Sequence, residues 1–221
     1  MKKSIALAAC ISMLLTSSAV LAEPKQLILN YDGFFDRLDD LDEPEFSQVT
    51  LGFYFKQKGN GQACDIQSVT LKSQSDSRDV YFYATGEVLL PFDEQLDMDK
   101  AKLIIAHTSD QECGLDMRLE TKSLLSDTIT TSDTLALVNT FELALDELAG
   151  MMAFMLPEVS GVTFIGKEEQ PLVVQNSSAG NCELNRCTFE KFELTGASDK
   201  LEFSSTPVKA VPFIKTAQGT R

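Results

Sequence analysis

Six carboxylates stand within the ten residues DRLDDLDEPE, Asp36 to Glu45, with Arg37 as the one cation among them. Clustered hard oxygen ligands suit calcium. An EF-hand loop, however, alternates its acids around a glycine turn, and Asp39-Asp40-Leu41-Asp42 has no such glycine. At about 100° per residue, Phe34, Phe35, Leu38 and Leu41 share one stripe of a helix, while Asp36, Asp40 and Glu43 point the other way. The sequence therefore predicts a solvated acidic face, with a cation or a basic partner as the functional alternative.

Nucleophilic hydrolysis requires a base beside its serine or cysteine. The chain has one histidine, His107, in AHTSD, and no GxSxG elbow. Ser109 and Asp110 are too close in sequence to His107 to fold back onto it as a triad, so a structural role is expected. A single histidine also excludes HExxH and most transition-metal sites. Glycoside hydrolysis needs only two carboxylates at the right separation. With 33 acidic residues the chain satisfies that easily, but it has no tryptophan for sugar stacking. Tyr54, Tyr81 and Tyr83 are the substitutes, placed on the outer side of their strands if Phe53, Phe55, Val80 and Phe82 face inward.

Ala149 to Leu156 has no polar side chain. Met151, Met152 and Met155 are expected on several sides of one long apolar helix. The reading is a buried core helix, with a methionine-lined groove for an apolar ligand as the alternative and copper binding by the thioethers a distant third.

The elements that must position these groups follow from periodicity. QLILNY reads as a strand, and FFDRLDDL as a short helix with Asp32 as cap. FSQVTLGFYFK alternates Val49, Leu51, Phe53 and Phe55 with smaller or polar residues, a strand with one buried face. A turn at Lys58 to Gln62 leads to CDIQSVTLKS. Further strands are expected at Val80 to Ala84, Glu87 to Leu90, Lys102 to His107 and Leu115 to Glu120. PFDEQLDMDKA reads as a turn or one short helical turn. Residues 124–134 are hydroxyl-rich and mark a possible sub-boundary. The long helix TFELALDELAGMMAFML, capped by Asn139 or Thr140, runs from there to Pro157. GVTFIG, PLVVQN, TFEKFEL, LEFSS and VKAVPFIK again have strand character. The expected fold class is α+β: mainly antiparallel β, sandwich-like or two-layer, with one short acidic amphipathic helix and one long apolar helix.

The N-terminus, with two lysines, an apolar run from Ile5 to Leu21 and small residues before Glu23, reads as a signal peptide cleaved after Ala22. Leu7-Ala8-Ala9-Cys10 resembles a lipidation box, but it would use only about half of the apolar run. Cleavage leaves one exported domain, residues 23–221, and moves the formal charge from −14 to −16 by removing two lysines. That negative balance opposes nucleic acid and anionic lipid. No later segment supplies the roughly 20 apolar residues of a membrane span. Four cysteines remain, an even count that reads as two disulfides in an oxidising compartment. Of three connectivities, Cys64–Cys113 with Cys182–Cys187 is favoured, because the latter pair brackets only four residues. The chain-entropy relation gives about 4 kcal/mol for the first and about 2 kcal/mol for the second. Thiol redox and zinc chemistry do not fit these spacings.

The stretches YDGFFDRL (Tyr31 to Leu38), LGFYF (Leu51 to Phe55), GEVLLPFDEQLDMDKA (Gly86 to Ala101) and LAGMMAFMLPEVSGV (Leu148 to Val162) carry a resemblance. They are similar to an uncharacterised domain-of-unknown-function family of exported gammaproteobacterial proteins, over nearly the whole mature chain. The resemblance implies a periplasmic location and assigns no catalytic residue. The expected function is non-enzymatic binding or a structural role in the cell envelope, with an envelope protein, a glycan or an apolar ligand as partner and no cofactor. The rival is a carboxylate-dependent hydrolase acting on an envelope glycan.

Overall fold

The structure is a computed structural model and describes residues 24–122, 125–196 and 199–215. The expected signal peptide, with Cys10 inside it, lies outside the described residues. In chain order the elements are β1 (Lys25–Asn30), α1 (Asp32–Asp39), β2 (Val49–Gln57), β3 (Ile66–Lys72), β4 (Ser77–Asp79) and β5 (Glu87–Val88). Next come α2 (Glu94–Met98), β6 (Lys102–His107), β7 (Cys113–Thr121), β8 (Thr128–Thr130) and α3 (Thr131–Ala149). The chain finishes with β9 (Val159–Ile165), β10 (Asn181–Glu183), β11 (Arg186–Glu190), α4 (Lys191–Gly196), β12 (Lys200–Glu202) and β13 (Lys209–Ile214). Two 3-10 segments, Pro44–Phe46 and Gly150–Met155, complete the set.

The strands form sheets in the orders β1-β6-β3-β4, β5-β2-β7 and β10-β11-β9-β13, with β8 and β12 as a small pair. Their pairings are antiparallel. The protein is thus β-rich α+β, and its apolar side chains form a core cluster to which all three larger sheets and α3 contribute. In β6 burial alternates: Leu103 and Ile105 are fully buried, Ile104 and Ala106 are half-buried, and Lys102, the first residue, is exposed. Strand β2 departs from the expected single buried face, because Gly52 and Tyr54 on its polar side are buried too. That second cover is supplied from far along the chain. Ala210 of β13 donates its N–H to Thr121 Oγ1 of β7, holding the third sheet against the second.

The disulfides are Cys64–Cys113 and Cys182–Cys187. The first ties the approach to β3 onto the start of β7. The second joins directly opposed residues of the β10-β11 hairpin.

The long apolar helix is not present. Helix α3 begins about two turns earlier than its pattern suggested, where Thr130 Oγ1 accepts the Asp133 N–H at 3.0 Å and so acts as the N-cap, rather than Asn139 or Thr140. It buries Thr134, Leu137, Val138, Phe141 and Ala144, a spacing of three and four that faces the sheets. It stops at Gly150, whose φ of 52° lies in the left-handed region that glycine enters without steric cost. The following Met-rich segment turns as a 3-10 helix with no buried residue. The apolar run therefore divides between the end of a packed helix and a solvent-facing turn. Residues 128–134, within the candidate sub-boundary, are β8 and the first turn of α3. Of TFEKFEL, only the first part is strand; from Lys191 it is α4.

Candidate functional site

The densest gathering of reactive side chains sits on the polar side of β2. Lys209 Nζ of β13 donates to the Tyr54 hydroxyl at 2.6 Å and to both Glu120 oxygens at 2.9 and 3.0 Å. Glu87 lies 3.3 Å from the same nitrogen. Tyr54 in turn donates to Glu120 Oε2 at 2.7 Å. Strand pairing dictates the gathering: Tyr54 faces Glu87 across β2 and β5, and Glu120 of β7 stands opposite Thr50, four residues along β2 from Tyr54, with Gly52 between them. Tyr54 and Glu120 are 6% and 5% exposed. The Arg118 guanidinium caps the Tyr54 ring at 4.9 Å from its centroid. Burial, then the bond to Glu120, pushes the Tyr54 phenol far above its ordinary range, so it remains a donor.

These are residue types of acid–base chemistry, but each is already committed. Lys209 has three N–H donors, and they meet a phenol and two carboxylates. A glycosidase pair needs its two carboxyls on opposite sides of a bound sugar. Here both grip one ammonium, in a position that closes the join between two sheets. Gly52 makes the fit possible, since a Cβ there would stand 2.8 Å from the Glu120 carboxyl and from the Tyr54 ring. Lys209, Glu87 and Glu120 escaped the reading of the sequence. The usable signals were a glycine in mid-strand and a lone lysine entering the apolar run KAVPFI.

The other expected ligand groups lie apart from this cluster in character. Tyr81 and Tyr83 are exposed and meet edge to face, with ring centroids 5.1 Å apart. Met151 is 94% exposed and Phe154 84%, with Met152, Met155 and Leu156 also open to solvent. This apolar ridge overhangs a notch of about 200 Å³ lined by Leu145, Phe154, Leu156 and the carboxylate residues Glu142, Asp146 and Glu158. Lys191 reaches the notch from α4 and bonds Glu142 at 2.8 Å.

His107 is buried, and its Nδ1 has no hydrogen-bond partner among the described residues. Burial, with Lys25 adding to it, lowers its pKa. Buried Ser109 instead accepts the Asp65 N–H at 2.8 Å. On α1, Phe34 is buried while Asp36, Asp39 and Asp40 are exposed, the arrangement of an amphipathic surface helix. Among the described residues no three His, Cys, Asp or Glu side chains gather as a metal site.

Two of the stretches that carry the family resemblance meet in space. Fully buried Tyr31 donates its hydroxyl to the Pro91 carbonyl and accepts the Asp93 N–H, while Phe35 stacks on Phe92 at 4.9 Å. Asp93 also caps α2 through the Gln95 and Leu96 amides. A family model for a protein of unknown function, DUF2987, matches residues 23–165. The chain belongs to the DUF2987 family. The match is shorter than the nearly complete coverage expected, since it ends with β9. In this DUF2987 protein Tyr54, Glu87, Glu120 and the apolar ridge fall within the matched stretch, and Lys209 falls beyond it. No curated protein matches the chain, and no solved structure does. No described helix is long and apolar enough to cross a membrane.

Proposed function

We propose that this DUF2987 protein is a non-enzymatic binding module of the cell envelope, acting through the ridge Met151, Met152, Phe154, Met155 and Leu156. The single observation that carries this reading is the exposure of Met151 and Phe154, at 94% and 84%. Singly exposed apolar residues are ordinary, but several side by side mark an interaction surface. Methionine adds adaptability, because its unbranched thioether packs against varied shapes. Export is supported by the leader-like N-terminus and by two disulfides, which persist in oxidising compartments.

The test is native mass spectrometry of the protein isolated from its own envelope, beside a Met151→Ser/Phe154→Ser variant. A species retained by the parent and absent from the variant is the expected result. Retention of the same species by both, or of none by either, overturns the reading. Intact mass of the same sample should place the mature start at Glu23.

A further inference from the structure

We infer that the ridge receives a basic amphipathic segment of a partner protein, one of whose lysine or arginine side chains enters the notch beside it. This rests on the ridge being a binding surface and goes on to name what it binds.

Carboxylates rim the apolar strip and favour a cationic partner. Helix α3 ends beside the ridge, and its last turn carries Asp146 and Glu147 with no basic residue. A helix C-terminus already bears partial negative charge from its free carbonyls, so acids there raise the potential further and cations are favoured. Among the described residues neither Asp146 nor Glu147 is in an ion pair, and Glu158, with 79% of its side chain exposed, touches a cation only at 4.0 Å. The notch itself has the two surfaces that a long basic side chain needs. Leu145, Phe154 and Leu156 can cover a methylene stem, and Asp146 and Glu158 can take the charged head, Glu142 being held by Lys191. Lys191 shows the chemistry already in use, since its ammonium lies 2.8 Å from Glu142 with 31% of the side chain exposed.

The same field argues against other occupants. A second copy of the chain would bring acid against acid, and a bilayer rich in anionic lipid would be repelled by a protein of net charge −14. An apolar strip rimmed by carboxylates matches an amphipathic helix with apolar anchors on one face and Lys/Arg at its flanks.

The experiment uses two synthetic 20-residue helical peptides with one shared apolar face, one flanked by lysine and arginine and the other by glutamate. Binding is measured by fluorescence anisotropy to the full-length mature protein, to Met151→Ser/Phe154→Ser, and to a notch variant, Asp146→Asn/Glu147→Gln/Glu158→Gln, which leaves the Lys191–Glu142 pair intact. Asp36→Asn/Asp40→Asn/Glu43→Gln, in and just after α1, serves as the control of equal charge change and is called the α1 variant. The basic peptide should bind the parent and the α1 variant alike. It should lose at least about tenfold in affinity with the notch variant, weaken with added salt, and fail on the ridge variant. Equal binding of both peptides through the ridge, untouched by the notch variant, overturns the inference and leaves the binding module standing. Equal weakening by the α1 and notch variants also overturns it, as attraction to net charge alone. Binding of neither peptide, together with capture by vesicles of phosphatidylcholine and phosphatidylglycerol or with self-association through the ridge, overturns it too. Failure of every probe, with unchanged behaviour of the ridge variant, removes both readings.

Discussion

The Lys209 ammonium and the Tyr54 hydroxyl lie 2.6 Å apart although 155 residues separate them along the chain. This contact, with Glu120 and Glu87 around it, covers the polar side of β2 and joins a strand inside the family-matched stretch to one outside it. Removing one partner from such a group strands the others in a place that water reaches poorly.

Lys209→Met should therefore destabilise the protein by roughly 2–4 kcal/mol, below the figure for a fully buried pair because part of the lysine remains exposed. Lys58→Met is the contrast, since Lys58 and Glu112 meet at 2.7 Å with both side chains largely in solvent. It should change stability by less than about 0.5 kcal/mol. Urea unfolding of both variants measures the difference.

Gly52→Ala should act on the same cluster from beneath. The added methyl displaces the Glu120 carboxyl or the Tyr54 ring, at a cost of about 1–3 kcal/mol in a packed site. In the Lys209→Met background the cost should shrink, because the geometry it disturbs is already lost. A double-mutant cycle with additive effects would argue that Gly52 matters for some other reason.

His107 links stability to pH. Its pKa in the fold is lowered by burial, with Lys25 contributing, whereas the unfolded chain titrates near the ordinary value of about 6.5. Between these two values the unfolded state holds more protons, so this contribution is fully present above about pH 6.5 and is lost as pH falls through the folded value. His107→Gln should remove that portion of the acid loss. The check is a comparison of melting temperatures at pH 7 and pH 5 for the two proteins.

Phe154→Asp should fold and melt close to the parent, because the ring it replaces is in solvent. Phe141→Asp places a carboxylate in the face of α3 that packs on the sheets and should cost several kcal/mol, enough to unfold a domain of ordinary stability. Circular dichroism distinguishes a folded Phe154 variant from a collapsed one.

Local pattern made much of this architecture legible. Strand β6 lies at the expected Lys102 to His107, the stripe of Phe34 and Leu41 is buried, and the cysteines pair as their spacing favoured. What escaped depended on backbone geometry or on distant partners. The apolar run to Leu156 contains helix formers, but Gly150 breaks it by adopting a conformation that composition does not reveal. The Thr130 cap was visible as a threonine three residues before Asp133, yet the hydroxyl-rich run around it reads equally as a loop. Tyr54 alternates properly for an outward residue. Arg118 and Glu120 of β7 and Lys209 of β13 cover it, and no periodicity along β2 encodes those partners.

The sheet order β10-β11-β9-β13 carries a consequence for how small this fold can be made. The matched stretch ends at Ile165, the last residue of β9, and both hydrogen-bonded neighbours of β9 come from the residues after it. A fragment cut at that boundary would leave two bare backbone edges on a strand carrying Val159, Val162, Phe164 and Ile165, an open template for other chains. A fragment that keeps both edges of β9 paired must therefore extend to Ile214, the last residue of β13.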